Sequence, residues 1–547
     1  MAASNLLHAV YRYYAEVRKR RWTMRIRTLS FVALSLASLL SCNSEQAAET
    51  NTLREPEPSS PSVSGNVFSR MFPAVPPFAP PTDETREQVN QLGVRGGLLD
   101  ARDGQTNASN PDNPNMTAGF TFFGQFVAHD LSRIKEESLL ELTDPRRTTN
   151  FRTAELDLDH LYGDGPDRSP DLYETTSEDI KFRVEVIPGS EQVSRKGAVR
   201  FDVPRDPNKK AIIADSRNDE NVILSQFHVA MLRFHNAVVD RLRSDPAQAT
   251  RSGRERFNEA RRQVTWHYQW IILNEFLPLT IGQERVDEIL RNGPRFYRLD
   301  DRTQDSLFRN SNGDPLIPVE FAMAAYRFGH SQVRPSYRAN FGPDSGPSVA
   351  LSIFNPSADP NDPDPNDLRG GKRAPRRFVD WQNFFNFDND NALHNKRIDT
   401  KLSSRLMQLP GPPVPGMPSD GILSLASRNL IRQVNFGIPS GQAIARNIGV
   451  PVLTAEQLSE LTPFGMDRST PLWYYILKEA EMLENGVRLG PVGSRIVGDV
   501  LIGLLNAKKD ACPVIDKNCK PTLPSATPGD FEITDLLNFA GVVHPLD

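Results

Sequence analysis

Apolar residues recur at helical spacing in four stretches of this chain. In residues 119–130, Gly-Phe-Thr-Phe-Phe-Gly-Gln-Phe-Val-Ala-His-Asp, the side chains of Phe122, Phe123, Phe126 and Val127 predict a buried helix. Residues 222–242 carry Ile223, Phe227, Ala230, Met231, Phe234 and Val238 along one side. Residues 257–276 carry Val264, Trp266, Tyr268, Ile271, Ile272 and Leu273, and residues 318–331 carry Phe321, Ala322, Ala325 and Phe328. Alternation at period two is scarce, which predicts few and short strands, and there is no repeat at a solenoid period. Between 341 and 377 the chain turns to Asp, Pro, Asn and Gly, which predicts a long surface loop between helices. The pattern predicts a mainly α-helical fold, one large domain over residues 76–547.

Polar groups interrupt these apolar faces at a few places. Gln125, His129 and Asp130 sit at the end of the first helix's buried surface, where an unsatisfied polar group costs about 1–3 kcal/mol. They must be hydrogen-bonded, metal-bound or catalytic, and a core histidine satisfied by a neighbour is the commonest case.

Composition excludes more than it selects. The 547 residues carry a net charge of −4 with 38% hydrophobic residues, a soluble globular balance without the basic footprint of nucleic-acid binding. The 44 prolines outnumber the 34 glycines, as expected where many fixed loops join the helices. The first 42 residues read as an N-terminal extension and an export signal. Arg25 and Arg27 precede an apolar core at 29–40 that is too short for a comfortable membrane span. Met24 is a candidate true start. Leu39-Leu40-Ser41-Cys42 resembles a bacterial lipobox, with Cys42 as the lipid attachment point; ordinary cleavage near Ser41 is the alternative. The expected location is therefore extracellular, or periplasmic as an outer-membrane lipoprotein. Residues 43–75, rich in Ser, Pro, Glu and Asn up to about 64, read as a disordered linker. Cys512 and Cys519 either close a small disulfide loop, as export would allow, or are unrelated thiols.

Three further groups carry candidate chemistry. In 151–163, Thr153, Asp157 and Asp159 together with the Glu155 carbonyl offer the hard oxygen set that suits Ca²⁺; a solvated acidic loop is the alternative, and the EF-hand pattern is absent. Arg217, in Asp215-Ser216-Arg217-Asn218-Asp219-Glu220, either places a fixed positive charge over a reacting oxygen or serves as an ordinary capping or ion-pairing residue. His330 follows Gly329, which would let a flat group approach the backbone; it is a candidate metal ligand or a structural histidine.

Taken in order, these residues resemble the animal-type haem peroxidases, the superfamily of myeloperoxidase, lactoperoxidase and thyroid peroxidase, in a bacterial-type form. The resemblance runs from about 82 to 505. Gln125 to Asp130 is similar to the distal motif, and Thr153 through Tyr162-Gly163 to the calcium loop. Arg217 with Glu220 is similar to the distal arginine and haem-linking glutamate, and Leu232-Arg233-Phe234-His235-Asn236 to the signature of the following helix. Arg327-Phe328-Gly329-His330 is similar to the proximal motif, and Asn429-Leu430-Ile431-Arg432 with Gly437-Ile438-Pro439 completes the set.

The resemblance implies haem b and Ca²⁺ as cofactors, with hydrogen peroxide and a small electron donor as substrates. It implies His330 as the axial iron ligand, with Asn429 accepting its other ring N–H and Arg327 among the cofactor-binding residues. It implies His129 as the distal base, Arg217 as the stabiliser of developing negative charge, and Gln125 as a holder of distal water and halide. Asp130, Thr153, Glu155 (carbonyl), Asp157 and Asp159 are the implied calcium ligands, and Glu220 the site of an ester to haem.

Two departures narrow the expectation. Ala128 stands where the mammalian enzymes carry an ester-forming aspartate, and Asn221 where a sulfonium link needs methionine. With at most one covalent link, iodide, thiocyanate, bromide or phenols are expected as donors rather than chloride. The runner-up is a fatty-acid oxygenase of the cyclooxygenase or plant α-dioxygenase kind, which needs a radical-forming tyrosine three residues before the proximal histidine. Arg327 holds that place, and Tyr326 is rotated from it by about 100° on a helix. The third reading is a non-catalytic haem-binding adhesion protein, with the acidic insert 359–367 as a contact surface.

Overall fold

The computed structural model describes residues 66–546, apart from 106–109, 135–138, 140, 177, 249, 300–306, 413 and 508–511. The expected start at Met24, the signal at 25–42, the lipobox at Cys42 and the linker up to residue 65 lie outside the described residues. Residues 66–75, expected to belong to that linker, are instead packed. Phe68, Met71 and Phe72 are buried, Ser69 N–H donates to the Ile317 carbonyl, and the Met71 and Phe72 N–H groups donate to the Glu320 carboxylate. Three large apolar side chains in five residues have enough surface to hold this stretch in the core.

The elements are mainly helical, and among the described residues the four sheets are two-stranded with short strands. Helix α1 (Asp83–Gly93) starts at Thr82, whose side chain accepts from Thr85 N–H. Helix α2 (Gly119–Leu131) is the predicted buried helix. Helix α3 (Val222–Ser244) is capped by Asn221, and α4 (Gly253–Ile271) by a Ser252–Glu255 capping box. Near the C-terminus follow α5 (Leu425–Asn435), α6 (Leu472–Leu483) and α7 (Pro491–Asn506). The third predicted helix is longer than expected at both ends: it starts at Gly253 and continues through a π turn, Ile272–Phe276, into a further α-helical turn, Leu277–Ile281.

Aromatic rings pack α2 against its neighbours. Phe123 and Phe126 meet Phe227 of α3 and Tyr268 of α4 edge to face, at 5.0–6.3 Å between centroids. Such contacts contribute about 0.5–1.5 kcal/mol each beyond area burial. They fix α2 in rotation, and with it the direction of Gln125 and His129. On its other side α2 meets a short segment that ends at His330, and α6 supports that segment from behind.

That segment differs from expectation. Residues 318–331 are not one helix but a single turn, Val319–Ala322, followed by a 3₁₀ turn, Ala325–His330. Arg327 Nε donates to the Ala322 carbonyl at 3.0 Å, the acceptor that a continuing α-helix would offer to the N–H of Tyr326. The chain therefore turns at Ala324 (φ −133°, ψ −77°), and His330 is aimed by a kink rather than by helical periodicity.

The segment 341–377 is only partly a surface loop. Ile353, Phe354, Asp367, Leu368 and Arg369 are buried, and Gly370 N–H donates to the Glu220 carbonyl at 2.8 Å. Asp364 pairs with Arg376 and Asp367 with Arg369, so the acidic insert spends these charges on its own fold. Cys512 and Cys519 are joined in a disulfide. The tail is held to α4 by Trp266, whose indole donates to the Cys512 carbonyl, and by His267 Nε2, which accepts from Thr522 and Leu523 N–H. No described helix is long and apolar enough to cross a membrane.

Candidate active site

Helix α2 and the turn before α3 build one wall. His129 Nδ1 lies 2.9 Å from Asn218 Oδ1, and Asn218 Nδ2 lies 3.1 Å from His228 Nδ1 on α3. Burial, helped by the neighbouring Arg217 charge, holds His129 well below the usual histidine range, so it is neutral at pH 7. Arg217 is immobilised. Its Nε and Nη2 donate to the Asp215 carboxylate, its Nη1 to the Ser132 carbonyl at 3.0 Å, and its Nη2 to the His129 carbonyl at 3.2 Å. Both readings of Arg217 thus meet in one geometry: it is ion-paired, and of its five N–H groups one on Nη1 is left for a ligand.

Asp215 anchors this wall without touching its open side. Its carboxylate is fully buried and also binds Arg152, at 2.7 Å. Burial works to raise the carboxyl, but Arg217 and Arg152 outweigh it and hold Asp215 well below the carboxylate range. Gln125 Nε2 donates to Glu220 Oε2 at 2.8 Å. Burial pushes the Glu220 carboxyl up to about 8, against the pull of Arg217, so it is mostly protonated at pH 7. Gly416, in a left-handed conformation (φ +71°), closes over Glu220, and a Cβ there would come 2.5 Å from Oε1.

The opposite wall is the kinked segment with α5. Asn429 Nδ2 lies 2.7 Å from His330 Nδ1, while Arg327 Nη1 donates to Asn429 Oδ1 at 3.1 Å. The expected pair is present but its polarity is reversed: Arg327 can only donate, so it takes the amide oxygen that was expected to accept from His330. Burial, then the Arg327 charge, lowers His330 to about 3. Arg327 is itself lowered to about 9 by burial and by Arg432, Arg217 and Arg428, so the charges of the two walls act on each other.

The donor set of these walls, two histidines with arginines beside them, suits a flat, iron-bearing group. Nε2 of His129 and of His330 has no hydrogen-bond partner among the described residues. Gln125, Arg217, Glu220, Arg327 and His330 are half-buried and keep accessible surface. Beside Gly329 the nearest atom to an added Cβ is 3.9 Å away. Tyr326 is turned elsewhere: its ring stacks on Phe321 at 4.8 Å, and its buried hydroxyl feels Asp130 and has no partner among the described residues. A polar cavity of about 570 Å³ beside Arg95, Arg102 and Arg405 shares no residue with these walls.

Behind His129 the acidic loop folds back on Asp130. Thr153 Oγ1 donates to Asp157 Oδ1 at 2.6 Å, and Thr153 N–H to Asp159 Oδ2 at 3.0 Å. Leu156 and Leu158 take left-handed conformations (φ +53° and +62°), which curl the loop, and Gln269 holds the Leu156 carbonyl. Ligand atoms of Asp130, Asp159 and His160 lie within 4.8 Å of one another, all buried. Asp159 Oδ1 has no partner among the described residues despite its burial. An orphaned carboxylate oxygen among three carboxylates fits a hard cation. Glu155 lies in the same loop, between Thr153 and Asp157.

Sequence reasoning picked out most of these residues but missed their supports. Asp215 and Asn218 flank Arg217 in the stretch it quoted, yet nothing in their spacing gives them a partner. His160, His228, Tyr268 and Arg152 read as ordinary core or surface residues until the chain folds. Tyr268 donates to Asp130 Oδ2 at 3.2 Å, and His160 Nδ1 lies 2.9 Å from Asp130 Oδ1.

A family model described as animal haem peroxidase matches residues 133–463. The chain is 27% identical over 300 residues to a peroxidase-like protein of Margaritifera margaritifera, covering 52% of this chain and 35% of that one. It is 27% identical over 247 residues to peroxinectin A of Dictyostelium discoideum (44% and 38%), and 27% identical over 327 residues to thyroid peroxidase of Canis lupus familiaris (56% and 30%). It thus spans about a third of the length of these curated relatives. Among solved structures, peroxidase A of Dictyostelium discoideum superposes with a TM-score of 0.56 at 17% identity, covering 88% of this chain and 94% of that one. Fatty acid α-dioxygenase of Oryza sativa gives 0.56 at 14% identity, covering 82% and 76%. The fold is shared by both. Because the matched model takes in more than half of the sequence, the chain belongs to the animal haem peroxidase family.

Proposed function

We propose that this protein is a haem peroxidase, reducing hydrogen peroxide to two waters with two electrons from a small donor and two protons from the donor or from solution. The observation that carries this reading is a pair of histidines, His129 and His330, each tied at Nδ1 to an asparagine and each with Nε2 open. Bound haem supplies the iron that cleaves the O–O bond and passes oxidising equivalents to the donor.

The residues around it do the rest. His330 Nε2 would hold the iron. That would need its ring hydrogen on Nδ1 and the Asn429 amide rotated away from the orientation in which Oδ1 faces Arg327, with Arg327 a further residue to hold the cofactor. His129 Nε2 would accept a proton from hydrogen peroxide and return it to the departing oxygen. Arg217 offers its remaining N–H and its charge to that oxygen, already held and needing no reorganisation. Gln125 positions water or halide one turn before His129. Glu220 is the residue for a single ester to haem, and Ala128 removes the other. Asp130, Thr153, the Glu155 carbonyl, Asp157 and Asp159 hold Ca²⁺, which anchors the residue next to the base.

With one covalent link at most, iodide, thiocyanate, bromide or a phenol is the donor. Residues 25–42 support export, with a lipid on Cys42 as the finer proposal. Arg327 and the turned-away Tyr326 weigh against a fatty-acid oxygenase. The test is rapid mixing of the haem-loaded protein with peroxide, then with iodide or a phenol. Loss and donor-dependent return of the resting Soret band is the expected result. A haem band that ignores peroxide would overturn the proposal, and oxygen uptake with a fatty acid would then favour the oxygenase.

A further inference from the structure

A histidine can serve as the distal base only in one of its two neutral tautomers. Nε2, the open nitrogen of His129, must carry the lone pair, so the hydrogen must sit on Nδ1. An unrestrained neutral imidazole prefers the opposite arrangement.

The amide of Asn218 bears on this choice. It presents an oxygen to His129 Nδ1 at 2.9 Å and its NH₂ to His228 Nδ1 at 3.1 Å. An amide has one accepting and one donating end, so the two rings cannot share the same state. If Asn218 accepts from His129, it must donate to His228. His129 then carries Nδ1–H and His228 a bare Nδ1. Were the amide reversed, His228 would hold Nδ1–H and His129 would point an N–H at the open side, unable to accept a proton.

The three groups are packed so that they act as a unit. Asn218 is fully buried, in a 3₁₀ turn held by its own N–H on the Asp215 carbonyl at 3.0 Å. His228 is buried on α3, and the Phe126 ring meets it edge-on at 6.3 Å. Burial lowers the His228 ring to about 3, so it stays neutral and can accept at Nδ1.

We propose that Asn218 and His228 are positioning residues that hold His129 in the Nδ1–H tautomer, with the Asn218 amide coupling the hydrogen positions of the two rings. This rests on the reading of His129 as the distal base, but it is testable without turnover.

The experiment is ¹⁵N spectroscopy of histidine-labelled protein in the haem-loaded, carbon-monoxide-bound ferrous form, with His129 assigned from His129→Gln. The expected result is a hydrogen on His129 Nδ1 in the unaltered protein. In Asn218→Leu and in His228→Phe, which keeps a ring against Phe126, the hydrogen should move to Nε2 in part or in full. Asn218→Asp, which can only accept, should keep it on Nδ1. Hydrogen cyanide, which must lose its proton on binding iron, should associate about tenfold or more slowly with the two tautomer-shifted variants and not with Asn218→Asp. A His129 that keeps Nδ1–H in both Asn218→Leu and His228→Phe would overturn the lock, whatever the protein does with peroxide. A tautomer shift in a protein inert to peroxide would leave the lock standing and remove the peroxidase reading instead.

Discussion

The Arg217 guanidinium and the Asp215 carboxylate meet at 2.8 Å, the arginine at the edge of the open space and the aspartate entirely out of water. Asp215 thereby holds a charge that itself reaches the reacting end of the site. Its substitution should show twice. Asp215→Asn leaves buried Arg152 with Asp159 alone, at 3.5 Å, and should lower stability by about 3 kcal/mol in a urea titration. It should also slow the reaction with peroxide while haem remains bound. A variant as stable as the parent would mean that Asp159 alone suffices to hold Arg152.

Arg217→Ala should retain haem and its resting spectrum yet reduce peroxide about 10²–10³-fold more slowly, the effect of removing one preorganised donor. Rapid-mixing kinetics measure this directly, and an unchanged rate would remove Arg217 from the chemistry.

His330→Ala should lose haem or change its Soret band. Glu220→Gln should bind haem normally, since an amide can still meet Gln125, but it cannot form an ester. Acid–acetone extraction separates the cases: haem retained by the parent and released by Glu220→Gln is the expected outcome.

The oxygen cluster behind His129 predicts a calcium dependence. A chelator should lower the melting temperature, added Ca²⁺ should restore it, and Asp157→Ala should blunt both responses. Identical melting in all conditions would make the loop merely acidic.

His267 predicts a pH dependence of stability. Burial lowers it to about 4, against an ordinary value of 6.5, while Nε2 accepts from two tail N–H groups. Between those values the unfolded chain binds the extra proton, so stability rises with pH. The contribution is complete above about 6.5 and falls by about 2 kcal/mol on going to pH 5. Urea midpoints at pH 7 and 5 should therefore differ less in His267→Gln than in the parent.

Periodicity alone determined the helices that frame the site, because an apolar stripe on a 3.6-residue repeat is a local property of the chain. It placed α2, α3 and α4 within a few residues of their ends, and the ordered motifs named Gln125, His129, Arg217, His330 and Asn429 before any of them had a neighbour. What it could not decide is what those residues touch. The kink that aims His330 goes with Arg327 capturing the Ala322 carbonyl, a side-chain contact that no periodicity encodes. The packing of residues 66–75 depends on Glu320, about 250 positions away. The Asp215–Arg152 anchor, the Asp130–Tyr268 bond and the Asn218–His228 chain each join residues that the sequence keeps apart or leaves unremarked. A buried polar group must find its partner in space, and only the tertiary structure brings that partner within three ångströms.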